Sequence, residues 1–183
     1  MNRAVARNRV RIVGGQWRSR LLGFPDVEGL RPTPDRVRET LFNWLGQDLS
    51  GRACLDLFAG SGVLGLEAAS RGARLVVLVE RDLHAYRALQ ANAATLAAST
   101  VQLVRANALE FLAADARRYD VVFLDPPYAM GGREALLERV RERLAPGGLV
   151  YVEAPAPLAL PPGWQAYRSA RAGAVHYQLV QPL

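Results

Sequence analysis

Two short runs in this chain combine residue types that can do chemistry. Asp125-Pro126-Pro127-Tyr128 follows directly on the apolar run Val121-Val122-Phe123-Leu124, which sets an acid, a rigid proline pair and an aromatic ring where a buried strand ends. An exocyclic amino group on a nucleobase is a poor nucleophile, because its lone pair is delocalised into the ring. The Asp125 carboxylate and the Pro126 carbonyl can accept its two N–H groups, localise that lone pair and aim it at an electrophilic methyl. The prolines turn the carbonyl into the pocket instead of into a sheet ladder, and Tyr128 can stack on the base. A simple turn after a strand is the plainer alternative.

The second run is Asp56-Leu57-Phe58-Ala59-Gly60-Ser61-Gly62-Val63-Leu64-Gly65-Leu66-Glu67, where a strand would pass into a helix. Glycines let backbone amides approach a ligand, and a helix N-terminus favours negative charge. Glu80, twenty residues beyond Gly60, ends the next apolar run, where a carboxylate can hold two ribose hydroxyls. Gly60 to Gly65 also spells the dinucleotide fingerprint, so a nicotinamide cofactor competes with a methyl donor. The Asp-Pro-Pro-Tyr run favours the methyl donor, since hydride transfer has no use for it. Tight strand-helix packing without a ligand is the remaining alternative.

Between residues 50 and 155, short β-branched runs alternate with amphipathic stretches, the pattern of βαβ units and a parallel sheet. The spacing predicts strands over 53–58, 75–80, 101–104, 120–125 and 149–153, and helices over 63–71, 83–98, 108–117 and 133–144. Pro146-Gly147-Gly148 is expected to end the last helix. A Pro-rich stretch, 154–162, leads to an antiparallel hairpin of strands 165–170 and 174–180 joined through Gly173, making seven strands. Ahead of the sheet, strands 9–13 and 18–22 are expected to flank Gly14-Gly15. Thr33-Pro34 then opens a helix in which Thr33 can cap, Pro34 suits the first turn and Asp35 meets the positive dipole end. These readings divide the chain into a basic hairpin extension, 1–29, and an α/β domain, 30–183.

The flanking residues make the reading specific. With Val13-Gly14-Gly15-Gln16-Trp17-Arg18 and the run Leu30-Arg31-Pro32-Thr33-Pro34-Asp35-Arg36-Val37-Arg38-Glu39-Thr40-Leu41-Phe42-Asn43, the two motifs resemble the RsmD family of bacterial 16S ribosomal RNA guanine-N2 methyltransferases over nearly the whole chain. The resemblance implies a Rossmann-like, seven-stranded class I methyltransferase fold, S-adenosylmethionine as donor, and guanine 966 of 16S rRNA, in an assembled or assembling small subunit, as target. It also implies that Asp56, Phe58, Gly60 and Gly62 line the methionine end of the cofactor and that Glu80 takes the ribose hydroxyls. Asn107 and Ala108 would meet the adenine edge, and Asp125, Pro126, Pro127 and Tyr128 would hold the guanine, while Arg81 either lies across the adenine face or is an ordinary exposed arginine.

All 23 basic residues are arginines, against 17 acids, for a net charge of +6. Arg3, Arg7, Arg9, Arg11, Arg18 and Arg20 precede the first acid, Asp26, leaving 17 arginines against 17 acids in the rest. The charge excess therefore lies on the first twenty residues, which points to an anionic partner gripped there. Arg9, Arg11, Arg18 and Arg20, with Arg36 and Arg38 on the following helix, are the expected RNA contacts, and Trp17 among them either stacks on RNA or packs into the core. Met1 to Asn8 reads as a solvated tail. One cysteine and two histidines offer no metal cluster, and no apolar run is long enough to span a membrane. A cytoplasmic, metal-free monomer is expected. A DNA adenine-N6 methyltransferase is the nearest rival, although 183 residues leave no room for a target-recognition region. A catalytically silent RNA-binding or assembly factor is the rival from another class.

Overall fold

Apolar runs buried on both faces become the centre of a sheet, and here they are β3 (Ala53–Asp56), β4 (Leu75–Glu80) and β6 (Tyr119–Leu124) in a computed structural model that describes residues 8–183. With β5 (Val101–Arg105), β7 (Leu144–Ala154), β8 (Trp164–Ala172) and β9 (Val175–Pro182) they form a seven-stranded sheet of order β5-β4-β3-β6-β7-β9-β8. The β5-β4-β3-β6-β7 part is parallel, and β9 pairs antiparallel with both β7 and β8. The order reverses between β3 and β6, which opens a crevice at the carboxyl ends of those strands.

Helices cover both faces. On one side α1 (Asp35–Trp44), α2 (Val63–Ser70) and α3 (Leu83–Thr95) pack over Cys54, Val76, Leu78, Val121, Phe123 and Tyr151. On the other, α4 (Ala108–Ala114) and α5 (Arg133–Arg141) cover Leu55, Val77, Val122, Leu124, Val150 and Val152. An N-terminal ribbon, β1 (Asn8–Arg11) with β2 (Leu21–Phe24), adds Val10, Leu22 and Phe24 to the first of these cores. Asn92 on α3 anchors the ribbon, accepting from the Gly23 amide and donating to its carbonyl.

Several local expectations are corrected. The ribbon pairs Asn8 with Phe24 and Arg11 with Leu21, so its two strands are separated by residues 12–20 instead of by 14–17. That connection is shaped by α2. The Gln16 amide donates to the Ser70 carbonyl at 2.8 Å, and a Cβ on Gly15 would lie 2.1 Å from the same oxygen. Thr33 does not cap α1. Pro34 takes the N-cap position without a side-chain bond, because the Thr33 hydroxyl donates to Glu153 at 2.9 Å. Pro146-Gly147-Gly148 lies beyond the end of α5 at Arg141, as an irregularity of β7: Tyr119 pairs with Leu144 and Val121 with Leu149, so the extra residues bulge out between the two registers. Helices α3 and α4 also end earlier than their apolar pattern suggests.

Candidate active site

Sheet register brings three acids together. Asp56 pairs with Phe123 and Phe123 with Tyr151, while Leu124 pairs with Val152 in the parallel β6-β7 ladder. Side chains alternate along strands, so Asp125 and Glu153 come side by side on the face that carries Asp56, Phe123 and Tyr151. Asp56 and Glu153 are buried and Asp125 is half-buried. Burial first, then the Glu153 and Asp56 charges, pushes the Asp125 carboxyl well above the usual carboxylate range, and Arg133 pulls it partly back. Asp56 is itself pushed up to about 7 by burial, against a hydrogen bond from the Gly65 amide.

The Asp125-Pro126-Pro127-Tyr128 loop stands above this face. Tyr128 is 52% exposed, a ring available to a planar partner. Arg133, at the start of α5, ties the loop to the next strand: its Nε donates to the Glu153 carbonyl at 3.1 Å and Nη2 to the Pro126 carbonyl at 3.3 Å. Its guanidinium carbon lies 5.4 Å from the centre of the Tyr128 ring.

Across the reversal point, the glycine loop leads from β3 into α2. Gly62 holds φ +78 at the N-cap of α2, and a Cβ on Gly65 would come within 2.1 Å of Leu78, so these glycines secure the turn and close helix-sheet packing. A Cβ on Gly60 would meet Leu30 Cγ at 3.6 Å, an ordinary contact, so this glycine is set by its backbone turn at φ +55 and not by crowding. Glu80 bridges the loop and the start of α3, accepting from the Gly60 amide and the Asp82 amide, each at 2.8 Å. Asp56 supports the loop from beneath, with 2% of its surface exposed. Phe58 is half-buried, and Arg81 is exposed beside Glu80. Asn107 caps α4 through a 2.9 Å bond from the Leu109 amide, which commits its side-chain oxygen, and Ala108 is buried behind it. Thus Phe58, Gly60, Glu80, Arg81, Asn107 and the loop from Asp125 to Tyr128 all follow the carboxyl ends of the parallel strands, on one edge of the sheet.

The basic residues divide differently from expectation. Arg9, Arg11, Arg18, Arg20 and Arg36 are exposed, although Arg11 pairs with Asp35 at 3.0 Å. Arg18 borders an open groove of about 890 Å³ at the far end of α2, shared with Gly14, Asn43, Gln47 and Arg71. Trp17 is 9% exposed, packed in the core between ribbon and α2, and cannot stack on RNA from there. Arg38 is fully buried. It donates to the Thr33 and Arg11 carbonyls and to Asp35, and its Nε is 4.0 Å from Glu67. Neither residue is an RNA contact in this fold. Arg3 and Arg7, and the tail expected over residues 1–7, lie outside the described residues, and Asn8 is already in β1.

Glu153, Thr33 and Arg133 were missed by sequence reasoning. Their juxtaposition depends on the pairing of β6 with β7 and on α1 reaching the β7 end, and no local pattern encodes either. The signal that existed is the acid closing the apolar run Leu149 to Val152, which matches Glu80 at the end of β4. Among the described residues there is no group of three or more His, Cys, Asp or Glu placed to hold a metal, and no helix long and apolar enough to cross a membrane.

A family model described as "Conserved hypothetical protein 95" matches residues 10–181. The "Ribosomal RNA small subunit methyltransferase D" of Escherichia coli is 46% identical over 177 residues, covering 94% of this chain and 89% of that protein. Its counterpart of the same name in Haemophilus influenzae is 42% identical over 184 residues, covering 96% and 95%. Among solved structures, "Putative methyltransferase yhhF from Escherichia coli" superposes with a TM-score of 0.86 at 42% identity, over 96% of this chain and 98% of that one. An RNA methyltransferase from Salinibacter ruber, solved with S-adenosyl-L-homocysteine, shares the fold at 22% identity and a TM-score of 0.65, over 81% of this chain and 92% of that one.

Proposed function

Because this chain belongs to the ribosomal RNA small subunit methyltransferase D family, we propose that it methylates the exocyclic N2 of a guanine in 16S rRNA, guanine 966 by the resemblance of its motifs. It is an S-adenosylmethionine-dependent rRNA methyltransferase. The observation that carries the choice of an amino group is Asp125 beside the Pro126 carbonyl and the exposed Tyr128 ring, at the carboxyl edge where the strand order reverses.

When bound, S-adenosylmethionine supplies a methyl group on a sulfonium, a centre that leaves as a neutral thioether. The glycine loop fits it, since the Glu80 carboxylate stands at the end of β4 against the backbone of that loop. Glu80 would hold its ribose hydroxyls, Phe58 to Gly62 its methionine end, and Asn107 with Ala108 its adenine edge. Tyr128 stacks on the guanine, while Asp125 and the Pro126 carbonyl accept its amino hydrogens and turn the nitrogen lone pair toward the methyl. Asp125, with its raised proton affinity, then takes the proton left on the methylated nitrogen. Neither histidine is called upon.

The exposed arginines of the ribbon and its connection would neutralise phosphates, with Arg36 on α1 beside them, so that docking fixes position and the pocket selects the base. The guanine must be unstacked to reach Asp125, at a cost of roughly a few kcal/mol. A monomer acting in the cytoplasm on a small subunit or its assembly intermediate completes the reading. Labelled S-adenosylmethionine offered with unmodified small subunits, naked 16S rRNA and duplex DNA tests it by nucleoside analysis. N2-methylguanosine from the ribosomal substrates is expected; N6-methyladenine, or no labelled product, would overturn it.

A further inference from the structure

We propose that Glu153 is a specificity-determining residue: its carboxylate receives the N1–H of the target guanine while Asp125 and the Pro126 carbonyl hold the adjacent amino group. This rests on guanine N2 as the acceptor. Three observations carry it. Glu153 follows Val152, the ladder partner of Leu124, so it stands beside Asp125 on the same face, one strand spacing of about 4.8 Å away. It is 6% exposed, yet both side-chain bonds it accepts fall on one oxygen: the Thr33 hydroxyl at 2.9 Å and the Tyr151 hydroxyl at 2.6 Å both donate to Oε1. Oε2 accepts from none of the described residues and is not sealed from solvent. A nine-tenths buried carboxylate with one oxygen anchored and the other free is held ready for a donor.

The chemistry of the base names that donor. In guanine the amino group is flanked by N1–H, a donor, and by N3, an acceptor. In adenine the amino group is flanked by N1 without a hydrogen, which would face Oε2 as lone pair against lone pair. An Asp-Pro-Pro-Tyr loop alone serves either amine, so an acceptor beside it is what makes the pocket choose. Anchoring by Thr33 and Tyr151 also keeps the carboxylate from turning away when the base arrives.

The test uses 2-aminopurine, which keeps the N2 amine and N3 but has no hydrogen on N1. The methylated guanine is first located by nucleoside mapping of RNA treated with the wild-type enzyme, and 16S rRNA is then assembled by ligation with guanine or 2-aminopurine at that position. Wild type should favour guanine in kcat/KM by roughly 10- to 100-fold, the worth of a hydrogen bond to a charged group. Glu153→Gln should bring the two bases to within about threefold, with cofactor affinity unchanged. Both bases meet the same Asp125, so the ratio is independent of its protonation. Equal wild-type rates on the two bases would overturn the proposal, and they decide it even if the variant does not fold. A preference that persists in Glu153→Gln would assign selection to the O6 side of the base and also overturn it. Absence of N2-methylguanosine from the wild-type reaction is a separate outcome, the failure of the guanine-N2 reading itself.

Discussion

In the proposed reaction, Asp125 has two duties that pull on its proton affinity in opposite directions. As an acceptor for the amino group it must be ionised, and as the receiver of the leaving proton it gains from the raised affinity that burial, Glu153 and Asp56 impose. Replacing it should separate these from cofactor binding: Asp125→Ala is expected to abolish turnover while the dissociation constant for S-adenosylhomocysteine, measured by calorimetry, stays within a few-fold. The sign of the pH effect follows from Arg133, whose positive charge lowers the Asp125 pKa. Removing that cation in Arg133→Gln raises the pKa further, so the acidic limb of the kcat/KM profile should move to higher pH, and Arg133→Lys should move it less. An unmoved limb would show that Arg133 acts on the loop only through its two carbonyl bonds. Asp125 and Tyr128 were legible in the sequence because their chemistry is local to four consecutive residues. Arg133 and Glu153 were not, since each matters only through a neighbour on another element.

α2 is an eight-residue helix that serves two regions at once. Its first turns carry Gly62 and Gly65 at the cofactor loop. Its last turns hold the segment after β1: Glu67 accepts from the Val13 and Gly14 amides at 3.0 and 2.7 Å, and Ser70 Oγ accepts from the Trp17 amide and donates to the Gly14 carbonyl. Glu67 is fully buried and is paired with Arg71 at 3.1 Å, with Arg38 Nε 4.0 Å away. Removing one member of a buried network leaves the others uncompensated, so Glu67→Gln should cost about 3 kcal/mol. In a chain of this size that lowers the melting temperature by roughly 6–12 °C, readable by calorimetry. Amide exchange at Gly14 should accelerate with it. The alternation of strands and helices that builds this element was legible from hydrophobic period. The buried role of Arg38 was not, because an arginine in an amphipathic helix reads as solvent-facing until Glu67 arrives from a different element. Thr33 was misplaced for a similar reason: a hydroxyl suited to capping was taken by a carboxylate 120 residues away.

Across the whole molecule, the described arginines of the first twenty residues, Arg9, Arg11, Arg18 and Arg20, are exposed on a ribbon and connection whose apolar side chains belong to the main core. Replacing Arg9, Arg11, Arg18 and Arg20 together should weaken subunit binding and flatten the slope of log affinity against log salt by up to about four charges' worth. Arg11 should contribute least, because its guanidinium is already engaged by Asp35, which it shares with Arg38. An unchanged slope would remove the ribbon from the docking surface. Cys54 lies at the opposite extreme of accessibility. It is in β3, paired on both sides, with no exposed surface and a thiol that burial pushes up to about 12. A thiol-specific dye therefore reaches this sulfur only when the sheet comes apart, and the labelling rate of one atom becomes a clock for opening of the entire core. S-adenosylhomocysteine, by binding the closed form alone, should slow that clock by the factor 1 + [ligand]/Kd under exchange conditions in which closing outruns labelling, giving an affinity without any RNA or any turnover.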